Sequence, residues 1–476
     1  MTLLCETVTA DTMADLLVAR DRVTAADMVE LRLDGVSNPD VRGALQDRRL
    51  PVIVTCRAKW EGGRFEGSEE ERRSILEQAL AAGAEFVDVE WLAGFTDLIA
   101  RDPRRIVLSS HDFEGVPPDL ADQARAMRAT GAGVIKLAVS PNRLCDTLPL
   151  IDVSREGDAV VIGMGDAGFP SRALAGRFGS RWTYAGRAVA PGQVPAARME
   201  REYGFRRVTL TSRLFGVVST NAMLSRSPAM HNAAFAAAGI DAVYVPLPTL
   251  DFGDFLAFAD AIGIDGASVT IPFKVDALHA AAAVDDIAAR VGAANTLRRT
   301  HDAWAATNTD VAGFLAPLST AFSGDLRGSR ASVLGAGGAA RAVVVALRDQ
   351  GARVTLHARR PEQAAAVVAD LGGEVGPWPP AHGSWDLLVN CTPLGGAGKD
   401  DQSPLPGGPF DGRLVYDLTY GPKASPLLAE AQLAGCATID GLPMLAAQAE
   451  QQFTWWTGQR PPAGVMEAAL RTGICN

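Results

Sequence analysis

Lysine is scarce in this sequence. Among 45 basic residues, the only lysines are Lys59, Lys136, Lys274, Lys399 and Lys423. A chain that uses arginine wherever a solvated cation will serve keeps lysine where a proton has to be given up, as in a nucleophile or an acid–base group. The apolar neighbours of Lys136 and Lys274 single these two out, whereas Lys399 lies in a Gly/Asp loop and reads as solvated. Cysteine is sparse as well. Cys5, Cys56, Cys145, Cys391, Cys436 and Cys475 form no C-x-x-C pair and have no nearby histidine, so neither a disulfide framework nor a zinc site is expected, and no metal. Positive charge is in deficit: the net charge of -10 argues against nucleic acid or an anionic membrane as partner. No apolar run reaches the length of a membrane span, and residues 1–10 lack the basic start and apolar core of a signal peptide. These absences predict a cytoplasmic enzyme acting on small molecules, and they are silent on oligomeric state. The 476 residues suggest about three domains, and 47% hydrophobic with 21% charged residues is ordinary for a soluble enzyme.

What is abundant is glycine, and one cluster of it is informative. In ASVLGAGGAAR (331–341) four strand-forming residues run into a turn, and the turn into an Ala/Val-rich helix lasting to about residue 350. Gly335 suits the bend, Gly337 lets backbone approach a pyrophosphate, and Ala340 permits close helix packing. Gly335, Ala336, Gly337, Gly338 and Ala339 are therefore expected at a dinucleotide, with the helix N-terminus facing its phosphates. A second strand over 353–358 ends in Arg359 and Arg360 instead of an acidic residue, which predicts NADP over NAD.

In the first half, strand-like runs recur at 3–8, 28–33, 51–57, 85–91, 105–110, 133–139, 159–164 and 181–186, separated by helical patterns such as 69–83 and 119–131. Eight alternations predict a (β/α)8 barrel of about 200 residues, with a doubly wound open sheet as the alternative. In a barrel the chemistry sits at the C-terminal strand ends, where Glu30, Arg32, Arg57, Glu61, His111 and Lys136 fall. A buried lysine tends to lose its proton and can attack a ketone. The resulting imine acidifies the neighbouring carbon, and a histidine can move that proton to a leaving hydroxyl. Dehydration of a β-hydroxy ketone or a retro-aldol cleavage would follow.

The strings VELRLD (29–34), CRAKWEGGRFEG (56–67), SSHDF (109–113), IKLA (135–138), GMGDAGFPSR (163–172) and APGQ (190–193) resemble type I 3-dehydroquinate dehydratases. The resemblance implies Lys136 as the Schiff-base lysine, His111 as proton shuttle and Glu61 as its orienting partner. It also implies that Glu30, Arg32, Arg57, Arg172 and Gln193 bind hydroxyls and carboxylate. Val189 stands where that family commonly has serine.

After a charged stretch at 198–212 the pattern changes, with a short connection expected near residue 210. Ser225 and Ser227 precede Pro228 at a helix start, where they can cap the helix or bind a carboxylate. Thr270, Lys274, Asn295 and Asp310 lie on separate elements that could converge on one pocket, and Gln448 could point at ligand from an amphipathic helix at 440–456. This half resembles shikimate dehydrogenases through Ser225-Arg226-Ser227, Val269–Lys274, Asn295, Asp310, the glycine turn, Arg359, Arg360, Asn390, Thr392, Tyr420 and Gln448. The resemblance implies that Lys274 and Asp310 act on the hydroxyl or carbonyl and that the two serines hold the carboxylate. It assigns Thr270, Asn295, Tyr420 and Gln448 to substrate, and Asn390, Thr392 and Gly441 to cofactor. Ala358 departs from the asparagine common there.

The expected organisation is a barrel over 1–210 and a two-lobed α/β unit over 211–476. Its substrate lobe spans about 211–315 plus helices at about 441–476, and its Rossmann NADP-binding lobe about 316–440. Together these predict a bifunctional shikimate-pathway enzyme acting on 3-dehydroquinate, 3-dehydroshikimate and shikimate. A ligand-sensing regulator built on these folds and a quinate-specific dehydrogenase are the rival readings.

Overall fold

A computed structural model describes residues 2–472 except 188, 189, 397, 422 and 423. Val189 therefore lies outside the described residues, as does Lys423. By contact the chain forms two compact units, residues 1–213 with 241–263, and 214–240 with 264–476. This contact division groups segment 241–263, which the expected bounds place after the break at 210/211, with the first unit. That segment carries Asp254, whose nearly inaccessible carboxylate accepts hydrogen bonds from the backbone N–H groups of Leu144 (2.8 Å) and Cys145 (3.1 Å). A contact between residues about a hundred positions apart leaves no trace in local sequence pattern.

In the first unit, eight parallel strands are β1 (Leu3–Thr9), β2 (Met28–Arg32), β3 (Val52–Thr55), β4 (Phe86–Glu90), β5 (Ile106–His111), β6 (Val134–Val139), β7 (Ala159–Gly163) and β8 (Trp182–Ala185). The ladder runs β7-β6-β5-β4-β3-β2-β1-β8. Its two end strands meet through Arg181 N–H to Ala159 O (2.9 Å) and Val161 N–H to Ser180 Oγ (3.1 Å), giving a nearly closed barrel. The expected helices form, and the first of them, Glu69–Ala81, starts at a capping box between Ser68 and Glu71.

Strand alternation explains where the chemistry sits. Side chains two residues apart point the same way. The inward layer at the N-terminal ends is apolar: Cys5, Met28, Ile53, Phe86, Val107, Val134, Val160 and Trp182 pack in one cluster. Two residues on, most of the same strands present Thr7, Glu30, Thr55, Asp88, Ser109, Lys136 and Tyr184, all buried. The lower layer is thus a filled core, and the layer above it is an ionisable floor.

The remaining segment of this unit adds β10 (Ala242–Pro248), which follows β9 (Arg213–Ser219) in the chain. In the second unit, β9, β11 (Ile264–Val269), β13 (Thr296–Thr300), β14 (Ala303–Thr307) and β12 (Ala283–Val284) lie in that order. The other sheet of the unit is wholly parallel and runs β17-β16-β15-β18-β19-β20, from Glu374–Val375, Arg353–His357, Arg330–Leu334, Leu387–Asn390, Leu414–Asp417 and Ala437–Ile439 respectively. This is the 3-2-1-4-5-6 order of a dinucleotide-binding fold, whose ligand crevice opens where the order reverses, between β15 and β18. Helix Leu442–Thr457 returns to the first sheet: Gln452 donates to Thr296 Oγ1 (3.0 Å) and the Trp456 indole to Leu297 O (2.9 Å). Among the described residues, no helix is long and apolar enough to cross a membrane.

Candidate active sites

The barrel cavity is small, about 50 Å³, and its wall includes Glu30, Arg32, Arg57, His111, Lys136, Arg172, Gln193, Thr7 and Tyr184. Glu61 stands behind it, on the turn after β3. Lys136 is not set in apolar surroundings as its own strand suggested. Its Nζ lies 3.0 Å from Asp88 Oδ2 and 3.5 Å from Glu30 Oε1, carboxylates delivered by β4 and β2. Both acids are themselves held: Ser109 Oγ donates to Asp88 (2.6 Å) and Arg57 pairs with it (2.9 Å), while Thr7 (3.1 Å) and Thr55 (2.8 Å) donate to Glu30. Burial alone would raise the Asp88 carboxyl, but Arg57 and Lys136 outweigh it and hold this acid well below the usual carboxylate range.

His111 Nδ1 lies 2.9 Å from Glu61 Oε1, which also accepts the His111 backbone N–H at 2.8 Å. Burial, then the charges of Arg57 and Lys136, push the imidazole well below its ordinary value, so it is neutral. Burial pushes the Glu61 carboxyl up to about 7 against the pull of Arg57. Arg32 is committed to Asp34 through two bonds of 2.8 and 2.9 Å. Arg57 is tied to Asp88, to Glu90 (3.2 Å) and to Ser109 (2.7 Å). Arg172 differs: only 2% exposed, it meets no carboxylate, and its Nε has no partner among the described residues. Burial lowers it to about 10, which still leaves it cationic at neutral pH. It donates to two backbone carbonyls, Tyr184 O (3.4 Å) and Pro191 O (3.2 Å), and a buried guanidinium without a carboxylate partner among the described residues is suited to receive an anionic group.

In the second unit a cavity of about 250 Å³ is lined by Ser225, Ser227, Thr270, Lys274, Asn295, Asp310, Ala339, Thr392, Tyr420, Gly441 and Gln448. Lys274 Nζ is 2.6 Å from Asp310 Oδ2, again an ion pair where apolar surroundings were expected. Asn295 Nδ2 donates to Asp310 Oδ1 (2.8 Å) and Thr309 Oγ1 (2.9 Å), which fixes the carboxylate. The helix Ser227–Ala237 has no side-chain cap at its start; Ser225 Oγ accepts the Ser227 N–H at 3.2 Å.

A neighbouring cavity of about 410 Å³ opens at the β15/β18 switch point, lined by Gly335, Ala336, Gly337, Gly338, Ala358, Arg359, Arg360, Thr392 and Lys399. It fits a dinucleotide. Gly335 adopts φ +106°, which favours glycine, and a Cβ on Gly338 would stand 3.0 Å from Lys274 Cδ. No side chain caps helix Gly338–Asp349, leaving first-turn N–H groups for phosphate. Arg359 and Arg360 are exposed and lie in no ion pair among the described residues. Two expected cofactor residues, Ala339 and Gly441, face the Lys274 cavity instead. Asn390 is wholly buried and reaches neither cavity: its amide donates to Leu394 O (3.0 Å) and Asp417 (2.9 Å), and its carbonyl accepts from Thr392 (2.7 Å), so it shapes the loop presenting Thr392.

Sequence reasoning missed Asp88, Ser109, Thr7, Tyr184 and Thr309. For the four on barrel strands a signal existed: a polar or aromatic residue sits two positions beyond an inward apolar one.

Comparisons with known proteins identify relatives of both units. The model for type I 3-dehydroquinase matches residues 4–209, that for the shikimate dehydrogenase substrate binding domain 217–297, and that for the shikimate 5'-dehydrogenase C-terminal domain 441–471. The chain is 30% identical over 500 residues to the chloroplastic bifunctional 3-dehydroquinate dehydratase/shikimate dehydrogenase of Arabidopsis thaliana, a match covering 97% of this chain and 83% of that one. It is 40% identical over 265 residues to a shikimate dehydrogenase (NADP(+)) of Moorella thermoacetica, covering 52% of this chain and 90% of that one. The solved shikimate 5-dehydrogenase of Thermus thermophilus, in complex with NADP(H) and shikimate, superposes with a TM-score of 0.50 at 35% identity, over 55% of this chain and 99% of that one.

Proposed function

The chain belongs to the family of bifunctional 3-dehydroquinate dehydratase/shikimate dehydrogenases, and from that premise we propose how its own residues carry the two reactions. The enzyme dehydrates 3-dehydroquinate to 3-dehydroshikimate and reduces that ketone with NADPH to shikimate, consecutive steps of the shikimate pathway.

In the dehydratase, over residues 1–210, Lys136 passes a proton to Glu30, its amine adds to the ketone, and that proton leaves with the carbinolamine hydroxyl as water, giving the protonated imine. Neutral His111, with Nδ1–H donated to Glu61, removes the proton from the carbon next to the imine through Nε2. The imidazolium returns it to the β-hydroxyl, which leaves as water. Hydrolysis then frees Lys136. Arg172 holds the substrate carboxylate, and Glu30, Arg32, Arg57 and Gln193 hold its hydroxyls.

In the reductase, over residues 211–476, bound NADPH supplies hydride to the carbonyl carbon. Lys274 protonates the oxygen as it gains charge, and Asp310 keeps that ammonium aimed. Ser225 and Ser227 bind the carboxylate; Thr270, Asn295, Tyr420 and Gln448 bind hydroxyls. The turn 335–338 with Thr392 takes the pyrophosphate, and Arg359 and Arg360 take the 2'-phosphate. The substrate lobe is about 211–315 with 441–476, and the cofactor lobe about 316–440. A cytoplasmic location and the absence of a nucleic-acid partner complete the reading.

The observation that carries this proposal is that each unit's polar cavity centres on a lysine paired with a carboxylate, Lys136 with Asp88 and Lys274 with Asp310. The test follows absorbance of NADPH after adding protein to 3-dehydroquinate. Oxidation in the parent and none in Lys136→Ala, restored by added 3-dehydroshikimate, supports the assignment. Oxidation that persists in Lys136→Ala overturns it.

A further inference from the structure

Tyr184, on β8, is 2% exposed and lines the barrel cavity. Its ring faces Lys136: Nζ stands 4.4 Å from the ring centroid, while the carboxylates Asp88 and Glu30 come from β4 and β2. The position is enforced from both ends of the residue. Trp182, two residues earlier, fills the apolar layer below, and Arg172 donates to Tyr184 O at 3.4 Å. Burial, with Glu30 nearby, keeps the phenol neutral well past its ordinary range, so the ring presents an uncharged π face.

The three neighbours of Nζ recognise different things. An ammonium has three N–H groups and can bond both carboxylates. When ammonium and ketone become iminium and water, one positive charge is conserved, but the nitrogen is left planar with a single N–H. It can then keep a hydrogen bond to only one of Asp88 and Glu30. A ring face asks for charge alone and needs no N–H.

We propose that Tyr184 is a further catalytic residue of the dehydratase, whose ring stabilises the iminium formed on Lys136. This rests on the reading of Lys136 as the Schiff-base lysine. Positive charge develops on Nζ twice, when the carbinolamine expels water and when loss of the β-hydroxyl from the neutral enamine regenerates the iminium. The ring lowers the barrier to both steps.

The test compares the full-length parent with Tyr184→Phe, Tyr184→Leu and Tyr184→Met, each checked for folding by near-ultraviolet circular dichroism. Steady-state dehydration is measured, and borohydride is added at saturating 3-dehydroquinate to trap the iminium, with the adduct on Lys136 quantified by mass spectrometry. A cation–π contact in a desolvated site leads us to expect about tenfold losses of kcat in Tyr184→Leu and Tyr184→Met. The trapped fraction falls with it, and Tyr184→Phe stays within about threefold of the parent. Two variants of different volume guard against one that misfolds. Trapping and turnover at parental levels in Leu or Met overturn the role of the ring, as does a Phe variant as impaired as Leu. No adduct on Lys136 in the parent overturns the Schiff-base reading and this inference with it.

Discussion

Glu61 Oε1 meets both the backbone N–H and the ring Nδ1 of His111, at 2.8 and 2.9 Å. The protonation state of this one oxygen selects the imidazole tautomer. When Glu61 is ionised it accepts Nδ1–H, and Nε2 carries the lone pair that can act as base. When Glu61 is protonated its O–H donates to Nδ1, and Nε2 carries a hydrogen instead.

Because burial places the Glu61 carboxyl at about 7, dehydratase kcat/KM is expected to rise through that pH on an acid limb owed to Glu61. Glu61→Gln removes that limb and lowers the plateau; an unchanged limb in the variant refutes the assignment. The same shift has a stability sign. A folded value above the ordinary 4.5 means that the folded state holds the proton more tightly. This contribution is fully present below the ordinary value and is lost as pH rises through about 7.

The Lys274–Asp310 pair separates chemistry from binding. Lys274→Met should lower reductase kcat by about 10²- to 10⁴-fold, the usual weight of a general acid. Dehydratase activity should stay at the parental level. Titration of NADPH fluorescence is expected to give a dissociation constant within a few-fold of the parent.

Arg359 and Arg360 are exposed cations in the dinucleotide cavity. Replacing both with alanine should weaken binding of 2',5'-ADP by about 10- to 100-fold, the loss of charge-assisted hydrogen bonds, and leave 5'-AMP almost unaffected. Isothermal titration reads both ligands; equal losses for the two would move the 2'-phosphate site elsewhere.

Arg72 is fully buried, donates to Cys56 O at 3.3 Å, and pairs with buried Glu90 and with Glu69. Arg72→Leu leaves the Glu90 carboxylate to Arg57 and the Ala58 backbone N–H. We expect a stability loss of about 3 kcal/mol, near the lower end for breaking a buried pair. Urea unfolding monitored by loss of dehydratase activity measures it, and an unchanged midpoint would show that Arg57 and the Ala58 N–H suffice.

The sequence by itself determined the alternation of eight strands with helices, because a period of two and the intervening helical stripe are local properties of the chain. The glycine turn after β15, with arginines and no acid at the end of β16, likewise announced a dinucleotide and its 2'-phosphate, since φ at Gly335 and helix-end amides depend only on neighbours in sequence. Tertiary structure decided what surrounds the two lysines. Lys136 sits in an apolar run and read as a lone buried amine, yet its partners come from β4 and β2, and the ring over it from β8. Asp254 likewise ties residues 241–263 to the amides of a loop far back in the chain. Local sequence records conformational preference, whereas the electrostatics of a buried site are set by residues that strand register and closure bring within a few ångströms.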